Sequence, residues 1–172
     1  MLFDEAPPTE GVVGIDPGKS GGIAYVAGCD AWAWKMPATP LGVVDLLRQI
    51  ELSTSCRRFY LEKVHAMPGQ GVTSMFSFGQ NFGILQAAVA SVSGEDAWLV
   101  RPVEWQRATC GLTKGDKNVS KQCAQQLYPH IKVTHALADA LLIATYGLAA
   151  SEGQEGVREG VGDFDVGVQL LG

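Results

Sequence analysis

Val12-Val13-Gly14-Ile15-Asp16-Pro17-Gly18 decides how this chain is read. Val12, Val13 and Ile15 before the turn, and Gly21-Gly22-Ile23-Ala24-Tyr25-Val26 after it, predict two strands joined through Pro17-Gly18-Lys19-Ser20 as a β-hairpin. Asp16 then stands near the end of a central strand, inside an apolar run. A carboxylate buried there needs a cation, a metal or backbone donors, because desolvation without a partner costs several kcal/mol or neutralises the group. The competing reading is an Asp that merely caps its own turn.

Outward from the hairpin, Ala31–Met36 predicts a third strand, stopped by Pro37 and Pro40. Leu41–Ile50 has its apolar residues at helical spacing, and Arg58–Val64 reads as a strand that again encloses an acid, Glu62. A Gly, Ser and aromatic segment from His65 to Phe78 precedes a helix over Gly79–Val92. Trp98–Val100 predicts a strand, Val103–Arg107 a short helix, Asn118–Tyr128 another, and His135–Tyr146 a last helix dense in Ala and Leu that carries Asp139. This order predicts an α/β domain over 11–150, with three antiparallel strands, then parallel ones, flanked by helices. Residues 1–10 read as a flexible extension and 151–172 as an acidic, Gly-rich flexible tail in which Val168–Leu171 could dock.

Bulk properties exclude few functions. At 172 residues the chain suits one domain, and its 47% hydrophobic content includes no run long enough to span a membrane. The first residues lack the basic and apolar regions of a signal peptide, which predicts a soluble, cytoplasmic protein without a membrane partner. Cys29, Cys56, Cys110 and Cys123 show neither C-x-x-C nor zinc spacing and predict reduced, mostly buried thiols. The net charge of −5 is uneven: residues 11–150 hold twelve Lys and Arg against ten Asp and Glu, while both ends are acidic. A nucleic-acid face is therefore permitted, the more so if some acids hold metal.

Three acids share an apolar, buried-looking context: Asp16, Glu62 and Asp139. Parallel neighbouring strands would set Asp16 beside Glu62, and a helix packed across them could bring in Asp139. Carboxylates so crowded repel unless divalent cations lie between them, and oxygen ligands favour Mg²⁺ or Mn²⁺. Such a site suits two-metal hydrolysis of a phosphodiester.

At these residues the chain resembles the RuvC family of Holliday junction resolvases, within the ribonuclease H-like superfamily. The resemblance covers about residues 12–147 and rests on Gly14–Gly18, Leu61–Val64, Phe78–Gly83 and Ala138–Ala144. It implies a ribonuclease H-like fold, metal ligation by Asp16, Glu62 and Asp139, and a Mg²⁺- or Mn²⁺-dependent endonuclease acting on four-way DNA junctions, with two metals per site. It also implies a homodimer whose interface includes the Gly79–Val92 helix. The family's usual acid one turn before the last Asp is absent, since Ala136 stands there. His135, four residues before Asp139 and on the same helix face, can replace it as metal ligand or base. Met67–Gly71 and Ser74–Gly79 are similar to the phage and organelle variants.

Candidate DNA contacts are Lys114 and Lys117 beside a helix start, Arg107 a little earlier, and His65, Gln70, Ser74 and Phe76 in the segment after strand four. Other readings remain open. A sugar- or acetate-kinase turn would need a second lobe, a non-catalytic junction binder would gain nothing from repulsive acids beside phosphates, and a nuclease for RNA–DNA hybrid would use the same acids.

Overall fold

The computed structural model describes residues 10–65, 71–113 and 115–155. Its elements run β1 (Gly11–Asp16), β2 (Gly22–Ala27), β3 (Asp30–Lys35), α1 (Pro40–Ser53), β4 (Cys56–Glu62), α2 (Val72–Ser93), β5 (Trp98–Val100), α3 (Pro102–Thr109), α4 (Lys117–Leu127) and α5 (His135–Glu155). One sheet forms in the order β3-β2-β1-β4-β5. β1, β2 and β3 pair antiparallel, whereas β4 joins β1, and β5 joins β4, in parallel. This is the mixed sheet flanked by helices that the sequence predicts, with Asp16 ending the central strand.

Strand alternation divides the core into two layers. Val12 and Tyr60 face one layer with α5, Trp105 of α3 and Ala124 of α4. Val13, Ile15, Phe59 and Leu61 face the other, with Leu47 of α1 and Leu85 of α2. By the same two-residue period, Asp16 and Glu62 belong to the α5 side.

Small residues seat α5 on the sheet. A side chain added at Gly14 would run into the Ala140 carbonyl and the Ala144 amide, and one at Gly22 would come within 2.5 Å of the Ala136 carbonyl oxygen. Ala136, Ala140 and Ala144 recur every fourth residue, so one stripe of the helix lies against the two glycines. The close approach brings the first turns of α5 over the end of β1.

Several boundaries differ from expectation. α2 begins at Val72 instead of Gly79, because Met75, Phe78, Phe82, Leu85 and Val89 make one apolar stripe across a stretch whose Ser and Gly content suggests a loop. α5 continues to Glu155 instead of giving way to a tail at 151. Ser151 is buried and shares a 2.9 Å hydrogen bond with the Tyr60 hydroxyl, which ties the added turn to β4. Glu62 closes β4, so Lys63 and Val64 lie beyond the strand. The cysteines are free but not core residues: Cys29 is exposed and the other three are half-buried. Among the described residues no helix is long and apolar enough to cross a membrane. The expected terminal extension up to residue 9, the Val168–Leu171 docking segment, Gln70 and Lys114 lie outside the described residues.

Candidate active site

β1 and β4 end on acids, and their parallel register pairs Ile15 with Leu61, so Asp16 and Glu62 are the next residues of adjacent strands. Asp139 comes from the second turn of α5, which the glycine seats hold over the same strand ends. All three carboxylates line one cleft of about 720 Å³. His135, at the start of α5, lines it as well, together with Thr134, Lys19, Lys35, Lys117 and the ring of Phe78.

The electrostatics are those of acids short of counter-charge. Asp16 is pushed up to about 8, first by burial and then by the charges of Glu62 and Asp139, against a smaller pull from Lys117. Burial also raises Glu62, with Asp139 adding to the rise. Asp139 is raised by burial too, while a hydrogen bond from Ser120 and the charges of Lys117 and His135 work in the opposite direction. A divalent cation in the cleft would reverse this balance.

Two buried side chains hold the acids from behind. The indole Nε1 of Trp105, 1% exposed, donates to Glu62 Oε1 at 3.0 Å. Ser120 of α4, 3% exposed, bonds Asp139. The start of α3 is capped by its own third residue, where Glu104 Oε2 accepts from the amide of the N-cap Arg101 at 2.8 Å. Neither Trp105 nor Ser120 follows from the sequence, because nothing in its spacing says that α3 and α4 pass behind the strand ends. Lys19 and Lys35 are missed for a related reason: the hairpin turn and the end of β3 read as solvated charges.

The acids do not form a ready cage, since among the described residues no three His, Cys, Asp or Glu side chains cluster closely enough to hold a cation. The donor chemistry nevertheless fits Mg²⁺ or Mn²⁺. Mg²⁺ commonly keeps several waters and takes only one or two carboxylates plus substrate phosphate oxygens.

The expected DNA contacts divide sharply. Lys117 is brought to the cleft, at the first position of α4, just after the N-cap Asp116 that accepts from the Asn118 amide at 2.9 Å. Ser74 lines a neighbouring groove with Lys19 and Phe78. Arg107 lines a separate cavity with Gln122 and Cys123, away from the acids. His65 is exposed beyond β4 and is not among the residues lining the cleft. Phe76 is 73% exposed on α2, and the ring that reaches the cleft is Phe78, two residues on and about 200° around the helix.

No family model matches the sequence, and none of the curated proteins matches it. Solved structures do. Thermus thermophilus RuvC aligns with a TM-score of 0.57 at 19% identity, covering 83% of this chain and 96% of that one. The fold is RuvC-like. T. thermophilus RuvC in complex with Holliday junction substrate aligns at a TM-score of 0.59 and 19% identity, over 83% of this chain and 95% of that one. The yeast mitochondrial Holliday junction resolvase Ydc2 aligns at 0.47 and 14% identity, over 91% and 85%. Within the RuvC-like sheet of this chain, Asp16 and Glu62 stand at the carboxyl ends of adjacent parallel strands, where open α/β sheets form their ligand crevices.

Proposed function

We propose that this chain is a divalent-metal-dependent endonuclease that resolves four-way DNA junctions as a homodimer. One observation carries the reading: three mutually repelling carboxylates from two strand ends and one helix line a single cleft of a RuvC-like fold.

Asp16, Glu62 and Asp139 would hold the metal, with His135 beside Asp139 as a further ligand or as a base. A bound Mg²⁺ or Mn²⁺ pair would lower the pKa of an attacking water and neutralise charge on the leaving oxygen. Trp105 and Ser120 each hold one oxygen of Glu62 and Asp139 and so limit how far these two acids must turn when the ion draws the three together. Lys19, Lys35 and Lys117 offset the acids along the cleft and give a phosphodiester a cationic wall. Asp16 must lose its proton before it can ligate, so metal binding competes with that proton and activity weakens as pH falls.

The dimer reading is supported by α2. Val72 is 85% exposed and Phe76 73% exposed, and Gly79 and Gly83 have open space where a side chain would be. These four positions fall on one helical stripe and form an apolar, small-residue face suited to a second copy.

The test is cleavage of a synthetic four-way junction, a linear duplex and an RNA–DNA hybrid, each with Mg²⁺, Mn²⁺ or EDTA. Paired nicks confined to the junction and abolished by EDTA are expected. Preferential cutting of the hybrid would keep the metal site and overturn the substrate.

A further inference from the structure

Beyond the acid cleft, a second channel leads away from it. The cleft shares Gly18, Lys19, Ser20 and Phe78 with a neighbouring groove of about 520 Å³, and that groove shares Lys19, Ser77 and Asn81 with a cavity of about 550 Å³ that ends at Thr39 and Pro40 of α1. The three spaces are therefore consecutive stretches of one path along the first turns of α2. The cavity beside Arg107 shares no lining residue with the cleft.

The path's chemistry is selective. In a chain of net charge −5, no Asp or Glu lines either outer stretch. Their polar side chains are hydroxyls and amides, with Lys19 as the cation common to all three spaces. Phe78 stands where the cleft opens into the groove, its ring against Gly18 of the hairpin turn.

Unsatisfied groups mark the same path. Among the described residues, the buried side-chain polar atoms with no hydrogen-bond partner are Asn81 Nδ2 and Thr134 Oγ1. Asn81 lines both outer stretches and Thr134 lines the cleft. An amide nitrogen can be satisfied only by an acceptor, and both atoms are buried in the walls of the path, so each side chain meets a ligand by turning outward. Acceptor oxygens, negative charge and a planar ring to stack on Phe78 are together the chemistry of a nucleic-acid strand.

We propose that the path from Phe78 past Ser77 and Asn81 to the start of α1 is a binding track for one nucleic-acid strand leaving the cleft. Hydroxyl and amide groups there take backbone oxygens, Lys19 takes a phosphate, and Phe78 stacks the base at the threshold. The inference rests on the nuclease reading of the cleft and names how its substrate is held.

The test is fluorescence anisotropy of a labelled four-way junction in EDTA, at two salt concentrations, with the full chain. Ser77→Glu and Gln80→Glu place a carboxylate in the track at exposed positions, and Gln49→Glu places one on the outer face of α1. Each track variant is expected to weaken binding about tenfold or more, with Gln49→Glu unchanged, and Lys19→Ala should reduce the salt slope by about 1. Equal binding by wild type, Ser77→Glu and Gln80→Glu would overturn the track while leaving the nuclease reading standing. Equal loss in Gln49→Glu would also overturn it, since general charge would then explain the effect. No junction binding by wild type would instead remove the nuclease reading on which the track rests.

Discussion

α2 and α5 are the two long helices, of 22 and 21 residues, and they use small side chains in opposite ways. On α5, Ala136, Ala140 and Ala144 let the helix touch Gly14 and Gly22 of the sheet. On α2, Gly79 and Gly83 touch nothing, and only the later part of the helix, at Leu85, Ala88 and Val89, is buried. Close packing is what the proposed metal site requires, because there Asp139 would have to be held relative to Asp16 and Glu62 to within a fraction of an ångström. An open, apolar and small-residue face suits association with something outside the chain. One helix thus builds the site, and the other presents surface next to it.

The comparison breaks most severely at Gly14→Ala. A methyl group there meets α5 backbone, which cannot move aside as a flexible side chain can, so a loss of about 1–3 kcal/mol or more is expected in thermal or urea unfolding. Stability equal to wild type would mean that α5 is not seated by this contact.

Asp16 gives the second test. Its folded-state pKa lies above that of the unfolded chain, so the folded protein binds the extra proton. The associated stability is fully present below the unfolded value of 3.8 and is lost as pH rises through about 8. In EDTA, the melting temperature should therefore fall between about pH 5 and pH 8. Asp16→Asn should remove much of that fall and raise stability at pH 8, by about 2–4 °C for each kcal/mol of relieved repulsion. An unchanged pH profile in the variant would show that Asp16 does not carry the effect.

Trp105→Phe keeps a large ring and deletes the donor to Glu62 Oε1. Mn²⁺ affinity, measured by titration calorimetry, should drop about tenfold or more with the fold retained. Unchanged affinity would leave the indole a packing residue. The smallest effect is expected at Gly83→Ala, where open space and a helical backbone predict a gain of up to about 1 kcal/mol in urea unfolding of the dilute, monomeric chain. A loss in the dilute chain would contradict the open space, whereas a gain there with a loss at dimerising concentration would place a second copy against this face.

How much of this could be read from residues alone follows from period and context. Asp16 and Glu62 are legible because an acid inside an apolar β-run is costly, and the parallel pairing that joins them follows from the order of strands and helices. Asp139 is legible on a helix dense in Ala and Leu. The early start of α2 is hidden because Ser and Gly obscure the stripe from Met75 to Val89, and the last turn of α5 because its tie, Tyr60 to Ser151, spans 91 positions. Trp105 and Ser120 reach the acids from behind, and Phe78 reaches the cleft, through tertiary packing that no local pattern encodes, whereas Phe76, equally aromatic, faces outward.

The most direct test of the central claim, that Asp16, Glu62 and Asp139 form one cation site, is a Mn²⁺ titration at about pH 8, where about half of Asp16 is already ionised and an arriving cation displaces the remaining proton. Wild type, Asp16→Asn, Glu62→Gln and Asp139→Asn would be compared by calorimetry. The account predicts Mn²⁺ binding by wild type and its loss or severe weakening in each single variant. Wild-type affinity in any one of them, or no binding by wild type, would contradict it.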